Sequence, residues 1–134
     1  MSKGRILIID DSLTLLAQMK ERLSREGYEV TTSSKAVGNS DLLLGADVVL
    51  VDFHMPGFTG AAALRGLRKA AEVLGQDETL FCLFTTDDAE AAKYRAHGFD
   101  KVVTGKGNVE AVTPQVNALF ASLSIRKFAA ATPN

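Results

Sequence analysis

The chain has no tryptophan, one cysteine and only three prolines among its 134 residues. A single cysteine excludes an internal disulfide, and because Cys82 lies within an apolar run, we expect a buried and unreactive thiol. No apolar run approaches the ~20 residues that a bilayer span needs, so we expect no membrane partner. The first apolar run is also too short for a signal peptide and is interrupted by Asp10 and Asp11, which favours a cytoplasmic location.

Neither sign of charge is in excess, because the formal net charge is −1 at pH 7. This balance excludes a general attraction to nucleic acid or to anionic membranes. The shares of hydrophobic residues, 46%, and of charged residues, 23%, are typical of a globular protein. The length fits one domain, which we place at residues 1–128, and residues 129–134 are predicted to form a flexible C-terminal tail.

Apolar segments alternate along the chain with segments of helical periodicity. The pattern predicts five strands, at residues 5–9, 29–33, 47–51, 79–84 and 101–104. It predicts helices at residues 12–26, 35–44, 61–74 and 87–97, and a last helix that ends near residue 127. The pair Thr113-Pro114 is typical of a helix start, so we expect the last helix to begin there, after an irregular segment 108–112. Continuous apolar strands separated by helices indicate an α/β fold with a parallel sheet covered on both faces.

Acidic residues end two of the buried strands. Asp10 and Asp11 follow the first apolar run, and Asp52 follows the third. Ligands of open parallel sheets bind outside the carboxyl ends of the strands. Carboxylates that meet at one such edge repel one another unless a cation lies among them, and hard oxygen ligands suit Mg²⁺. The sequence therefore predicts a magnesium site with a place for a phosphoryl group beside it.

The order of these features resembles the receiver domain of a bacterial two-component response regulator over residues 3–127. Paired acids end the first strand, and the lone acid that ends the third is followed by Met55-Pro56 and Gly60. Thr85 ends the fourth strand, and Lys106 follows the fifth. The resemblance implies a doubly wound α/β fold with a five-stranded parallel sheet in the flavodoxin-like order 2-1-3-4-5.

The resemblance also implies a role for each site residue. Asp52 would accept a phosphoryl group, Lys106 would pair with one phosphoryl oxygen, and the Thr85 hydroxyl would donate to another. The required cofactor would be Mg²⁺, held by Asp10, Asp11, Asp52 and the backbone carbonyl of His54. Such a domain is not otherwise an enzyme, because it catalyses only its own phosphorylation and dephosphorylation.

The partners implied by the resemblance are proteins. The phosphodonor would be a histidine kinase or a phosphotransfer protein, as in a phosphorelay. A downstream protein target would bind the face formed by the fourth helix, the fifth strand and the fifth helix, and no direct contact with nucleic acid is expected. Phosphate on Asp52 would shift an existing equilibrium between two conformations and so change protein binding.

Several positions depart from the family pattern. Lys106 is followed by Gly107 where receivers usually have proline, and Val102 stands about where an aromatic commonly partners the threonine. Thr86 replaces the usual small residue. These departures support a second hypothesis, in which the chain is a degenerate receiver that serves as a phosphorylation-independent interaction module.

Other interpretations of single motifs stay open at this point. Asp11 or Ser12 could cap the first helix, and Asp87 and Asp88 could cap the fourth. Asp87 could also modulate the access of water to the phosphate. Asp52-x-His54-x-x-Gly57 fits the short pattern of cobalamin-binding domains, but we find no matching glycine-rich motif downstream.

Overall fold

The structure is a computed structural model that describes residues 2–131 and the side chains of residues 2–126. Its strands, in chain order, are β1 (Arg5–Ile9), β2 (Glu29–Ser33), β3 (Val48–Asp52), β4 (His54–Met55), β5 (Phe58–Thr59), β6 (Leu80–Thr85) and β7 (Lys101–Thr104). Five of them form a parallel sheet in the order β2-β1-β3-β6-β7, while β4 and β5 form a small antiparallel hairpin. Without the hairpin, this order is the predicted 2-1-3-4-5, so the predicted α/β fold is confirmed.

The helices are α1 (Leu13–Arg25), α2 (Ser40–Leu43), α3 (Gly60–Leu74), α4 (Asp88–Ala92) and α5 (Val109–Ala131). Side-chain caps begin three of them. Ser12 Oγ accepts from Leu15 N, Thr59 Oγ1 accepts from Ala62 N, and Asp87 Oδ1 accepts from Glu90 N. These caps satisfy N–H groups that have no partner within the first turn.

Both faces of the sheet are buried, which explains the continuous apolar strands. Along β1, Ile6 and Ile8 contribute to one hydrophobic cluster, with residues of α1 and α5, while Leu7 and Ile9 contribute to the other, with residues of α2 and α3. The apolar residues of β3, Val48 to Val51, have no exposed surface. The two cores therefore fix the strands that carry Asp10 and Asp52.

Two helices are shorter than the sequence predicts. Residues 35–39 precede α2 without joining it, because Gly38 has a left-handed φ of +79°. The Asn39 side chain also bonds locally there, since it donates to Lys35 O and accepts from Ser33 Oγ. The fourth helix ends at Ala92 rather than at residue 97, and turns continue to Gly98.

The start of α5 predicted from Thr113-Pro114 is wrong. The helix begins at Val109, because Asn108 Oδ1 accepts from the Glu110 N–H and takes the place of a cap. Pro114 therefore lies inside the helix, where its ring nitrogen cannot donate to the Glu110 carbonyl. The Thr113 hydroxyl bonds back to Val109 O on the same turn.

The helix α5 extends to Ala131, beyond its predicted end near residue 127. It thus includes residues 129–131 of the predicted tail, and residues 132–134 lie outside the described residues. Within residues 2–131, no helix has both the length and the apolar composition that crossing a bilayer requires.

Candidate functional site

The ends of β1 and β3 bring the predicted acids together. Ile9 pairs with Val51 in the parallel ladder, so Asp10 and Asp52 follow at adjacent positions of the two neighbouring strands. Carboxylate oxygens of Asp10, Asp11 and Asp52 all lie within 4.8 Å of one another. Asp10 and Asp52 are only 1% and 3% exposed, whereas Asp11 is exposed to solvent. The convergence expected from the strand ends is present.

The side chain of Lys106 joins this cluster. Its Nζ lies 2.8 Å from Asp10 Oδ2 and 2.7 Å from Asp52 Oδ1. The lysine follows Gly105, whose left-handed φ of +71° turns the chain after β7. The flexible Gly-Lys-Gly segment thus places the ammonium group between the two buried carboxylates, although the usual proline is absent.

Burial is the largest single influence on the pKa of Asp52 and on that of Lys106. Burial raises the pKa of Asp52 above its ordinary value, and the negative charge of Asp10 adds to this rise, while Lys106 opposes it. Burial would lower the pKa of Lys106, but its hydrogen bonds with Asp10 and Asp52 outweigh burial and raise that pKa. Lys106 therefore stays charged at neutral pH. One ammonium group does not balance three carboxylates, and the excess negative charge favours a further cation.

Thr85 lies at the same edge of the sheet, at the end of β6. Its backbone is one residue past the position that pairs with Asp52, and its side chain is buried. The hydroxyl oxygen accepts a hydrogen bond from Asp87 N at 3.0 Å. Because a hydroxyl also carries a donor hydrogen, Thr85 can still donate to a ligand oxygen at this edge.

His54 contacts the cluster through its backbone rather than through its ring. The His54 N–H donates to Asp52 Oδ1 at 3.3 Å. The imidazole is exposed, and its Nε2 lies 3.5 Å from Asp87 Oδ2. The backbone carbonyl of His54 as a metal ligand stays a prediction.

The residue that caps α1 is not one of the three acids of the cluster. Ser12 caps α1, and its own N–H donates to Asp10 Oδ1 at 2.9 Å. Asp11 therefore has no capping role there and contributes its carboxylate to the cluster. At α4 the cap is Asp87, as one of the two interpretations predicted, and Asp88 is the first residue of the helix.

A second group of side chains near Asp52 was not predicted from the sequence. His97 contacts both Phe53, the residue after Asp52, and Glu90 of α4. Their separation along the chain follows no motif, and each residue type is common on helices and in turns. The local pattern therefore held no signal for this group.

The acid cluster fits a magnesium ion by the chemistry of its donors. Mg²⁺ prefers hard oxygen ligands and usually keeps several waters, so a few carboxylates at an open edge suffice. Asp10 and Asp52 supply buried oxygens, and Asp11 supplies an exposed one. This arrangement can hold a divalent cation and leave room for a phosphoryl group.

Comparison with known proteins gives a consistent result. Residues 6–114 match the response regulator receiver domain family. The chain is 32% identical over 124 residues to protein PilH of Pseudomonas aeruginosa, a match that covers 88% of this chain and 98% of PilH. The segment 6–114 that matches the family includes all three acids of the cluster.

Solved structures share the fold. The Vibrio cholerae chemotaxis protein CheY4 superposes with a TM-score of 0.73 at 21% identity, covering 87% of this chain and 98% of that one. The response regulator TrrA of Thermotoga maritima, solved in complex with Mg²⁺-BeF, superposes with a TM-score of 0.69 at 25% identity, with the same coverage. Sheet order, strand-end acids and the family match agree, and the chain belongs to the response regulator receiver domain family of two-component signalling.

Proposed function

We propose that this receiver domain accepts a phosphoryl group on Asp52 in a magnesium-dependent reaction and signals through changed protein binding. The observation that carries the proposal is the convergence of Asp10, Asp11 and Asp52 within 4.8 Å, with Lys106 Nζ at 2.7 Å from Asp52. Phosphoryl transfer needs positioning and charge stabilisation more than covalent help, and these four side chains supply both.

The residues that would hold Mg²⁺ are Asp10, Asp11, Asp52 and the backbone carbonyl of His54. When bound, the ion would offset the repulsion among the carboxylates and neutralise charge on the phosphoryl oxygens. The complex of Mg²⁺-BeF with TrrA, a relative at 25% identity, supports this assignment.

The proposed chemistry begins with attack by a carboxylate oxygen of Asp52 on phosphorus. A P–O bond to Asp52 forms, and the bond from phosphorus to the donor's imidazole nitrogen or acyl oxygen breaks, with its electron pair leaving on the donor. The Lys106 ammonium group pairs with one phosphoryl oxygen, and the Thr85 hydroxyl donates to another. Water later attacks phosphorus, which releases inorganic phosphate and restores the carboxylate. The domain thus catalyses only its own phosphorylation and dephosphorylation.

The proposed partners follow from this chemistry. A histidine kinase or a phosphotransfer protein would supply the phosphoryl group, and a protein target would bind the face formed by α4, β7 and α5. Thr85 supports the choice of this face, because its hydroxyl oxygen accepts from Asp87 N at the start of α4. A hydroxyl that turns toward a phosphoryl oxygen would change its contact with α4.

The test is phosphorylation by acetyl phosphate with Mg²⁺, followed by intact-mass measurement. The wild-type protein should gain the mass of one phosphoryl group, and both Asp52→Asn and removal of Mg²⁺ with EDTA should abolish this gain. Asp77→Asn is the matched control, because it makes the same chemical change at an exposed acid outside the cluster.

Two results would contradict the proposal. A wild-type protein that gains no mass would favour the degenerate receiver, whose partner binding does not depend on phosphate. A mass gain that persists in Asp52→Asn would place the phosphoryl group elsewhere. The cobalamin hypothesis has no support from the family assignment.

A further inference from the structure

Phe53 directly follows Asp52, is buried, and contacts both imidazole rings of the described residues. Its ring centroid lies 4.6 Å from that of His97, with the planes tilted by 47°, and 4.8 Å from that of His54, edge to face. Only 8% of Phe53 is exposed. Close-packed rings have little room to move past one another, so these contacts join the chain at Asp52 to the His97 imidazole.

Glu90 holds His97 in this position. His97 Nε2 lies 2.6 Å from Glu90 Oε2, and both side chains are largely shielded from water, at 23% and 22% exposure. Glu90 belongs to α4, whereas His97 belongs to the turns that follow the helix. The contact therefore joins the helix to the end of the segment that leads toward β7, and it orients the imidazole against Phe53.

A second contact closes a ring of side chains around this point. His54 Nε2 lies 3.5 Å from Asp87 Oδ2, and Asp87 Oδ1 accepts from Glu90 N at 3.1 Å. The contacts form a closed circuit, from Glu90 to His97, then to Phe53, His54 and Asp87, and back to Glu90. The two residues after Asp52 thus contact α4 from both sides, at its cap and at the turns beyond it.

We propose that Phe53, Glu90 and His97 are positioning residues that couple the phosphorylation state of Asp52 to the position of α4. This inference rests on the proposed function. Asp52 Oδ1 accepts from Lys106 and from the His54 N–H, and a phosphoryl group on the carboxylate changes both contacts. The chain at residues 53 and 54 responds, and Phe53 transmits the change to His97.

The segment that receives this change is weakly held, which makes it a suitable switch element. The helix α4 has five residues, of which only Ala91 is buried. The neighbouring strand β7 carries the aliphatic Val102, which is half-buried and offers no ring for the same purpose. The Glu90–His97 contact thus links α4 to Phe53 beside the phosphorylation site, in addition to the two contacts of Asp87 with Thr85 and His54.

The histidines provide a direct readout of this coupling, because the chain contains only two. We would follow the imidazole NMR signals while beryllofluoride and Mg²⁺ are added to the full chain, and a His54→Gln variant assigns them. The fluorine NMR signal of bound beryllofluoride measures occupancy independently. The His97 signal should shift in step with occupancy in the wild-type protein.

Phe53→Leu is the decisive variant, because it keeps an apolar side chain and removes the ring contact. We expect it to reduce the His97 shift at least about twofold at equal occupancy, since coupling is lost with the contact that carries it. Tyr94→Leu is the matched control. It removes an aromatic side chain from the turns that also contain His97, but Tyr94 makes none of the five contacts described above, so the His97 shift should be retained.

The outcomes separate this inference from the proposed function. If the wild-type protein binds no beryllofluoride, the proposed function fails. If the site is occupied and the His97 signal does not shift, or if the shift is unchanged in Phe53→Leu, the coupling is wrong. Should Phe53→Leu not bind beryllofluoride, Glu90→Ala decides, because it leaves Phe53 in place: a reduced shift supports the coupling and an unchanged shift contradicts it.

Discussion

The acid cluster and the α4 segment are neighbours at one edge of the sheet, yet they are held in different ways. Asp10 and Asp52 extend β1 and β3, whose apolar residues are 0–1% exposed and hydrogen-bonded on both sides within the sheet. The α4 segment, in contrast, has a five-residue helix followed by turns, and its links to the site are single side-chain contacts.

The difference separates two requirements of a switch. A phosphoacceptor and the residues that hold its cation have to keep their relative positions to within about 0.5 Å, and adjacent buried strands provide that rigidity. A responding element has to have a second position of similar free energy, and few buried contacts provide that freedom. We therefore expect variants in the acid cluster to have large effects on stability and variants in the α4–β7–α5 face to have smaller ones.

The largest effect should come from Lys106→Met. This change keeps the length of the side chain and leaves the buried carboxylates of Asp10 and Asp52 without their ammonium partner. Removing one member of a buried ion pair costs about 3–5 kcal/mol, and we expect the lower end of that range because Lys106 keeps 16% exposure. Urea unfolding in EDTA measures the loss of unfolding free energy.

Magnesium sharpens this prediction. A divalent cation between the same carboxylates offsets part of their repulsion. Mg²⁺ should therefore raise the unfolding free energy of Lys106→Met by more than it raises that of the wild-type protein. The control is Lys101→Met, a change at an exposed lysine of β7, which should leave stability and its magnesium dependence unaltered. Equal magnesium effects in all three proteins would contradict the assigned cluster.

The sequence was sufficient to predict the rigid part of the site. Buried parallel strands have continuous apolar runs, and their carboxyl ends meet at one edge, so the apolar runs alone predicted Asp10 and Asp52 at the same edge of the sheet. The order of the strands came from the resemblance, and the structure confirms it. The bounds of β1, β2 and β7 were also predicted correctly, whereas β3 and β6 each lie one residue later in the chain than predicted.

The α4–β7–α5 face could not be predicted to the same extent, because contacts of single side chains decide its helix boundaries. The helix α4 ends at Ala92 although the helical pattern continues to residue 97, and His97 packs on Phe53, a contact between distant parts of the chain that the local pattern does not show. The start of α5 depends on Asn108, a local cap that outweighs the stronger pattern at Thr113-Pro114. Here a local hydrogen bond at Asn108, rather than the proline pattern, selects between two permitted helix starts.

A smaller effect is expected from Pro114→Ala, in the α4–β7–α5 face. The new N–H can donate to the Glu110 carbonyl within α5, and the ring no longer presses on that carbonyl. We expect unfolding free energy to rise by about 1–2 kcal/mol, because the ~3 kcal/mol penalty of a helix-interior proline is partly offset by the greater freedom of the unfolded chain. Urea unfolding measures the change.

Ser124→Ala is the control for this prediction, because it changes an exposed position of the same helix and should alter stability little. If Pro114→Ala destabilises the protein instead, α5 does not contain the proline in its interior. A gain in unfolding free energy for Pro114→Ala alone would show that the proline makes the protein less stable than its fold allows, at the face that would bind a target.

The smallest effect is expected at Cys82, in the strand that joins the two regions. Cys82 lies on β6, where its neighbours are Leu50 on β3 and Lys101 on β7. Burial raises the pKa of its thiol to about 12, and the carboxylate of Asp100 adds to the rise. Since only the thiolate reacts with disulfide reagents, the thiol of the folded protein should be inert at about pH 8 and should react fully in urea.

Beryllofluoride and Mg²⁺ should leave the Cys82 thiol inert, because the proposed coupling displaces α4 and leaves β6 buried in the sheet. A thiol that becomes reactive when the site is occupied would show that the response extends into the sheet. The distinction between a rigid acid cluster and a weakly held α4 segment would then be wrong.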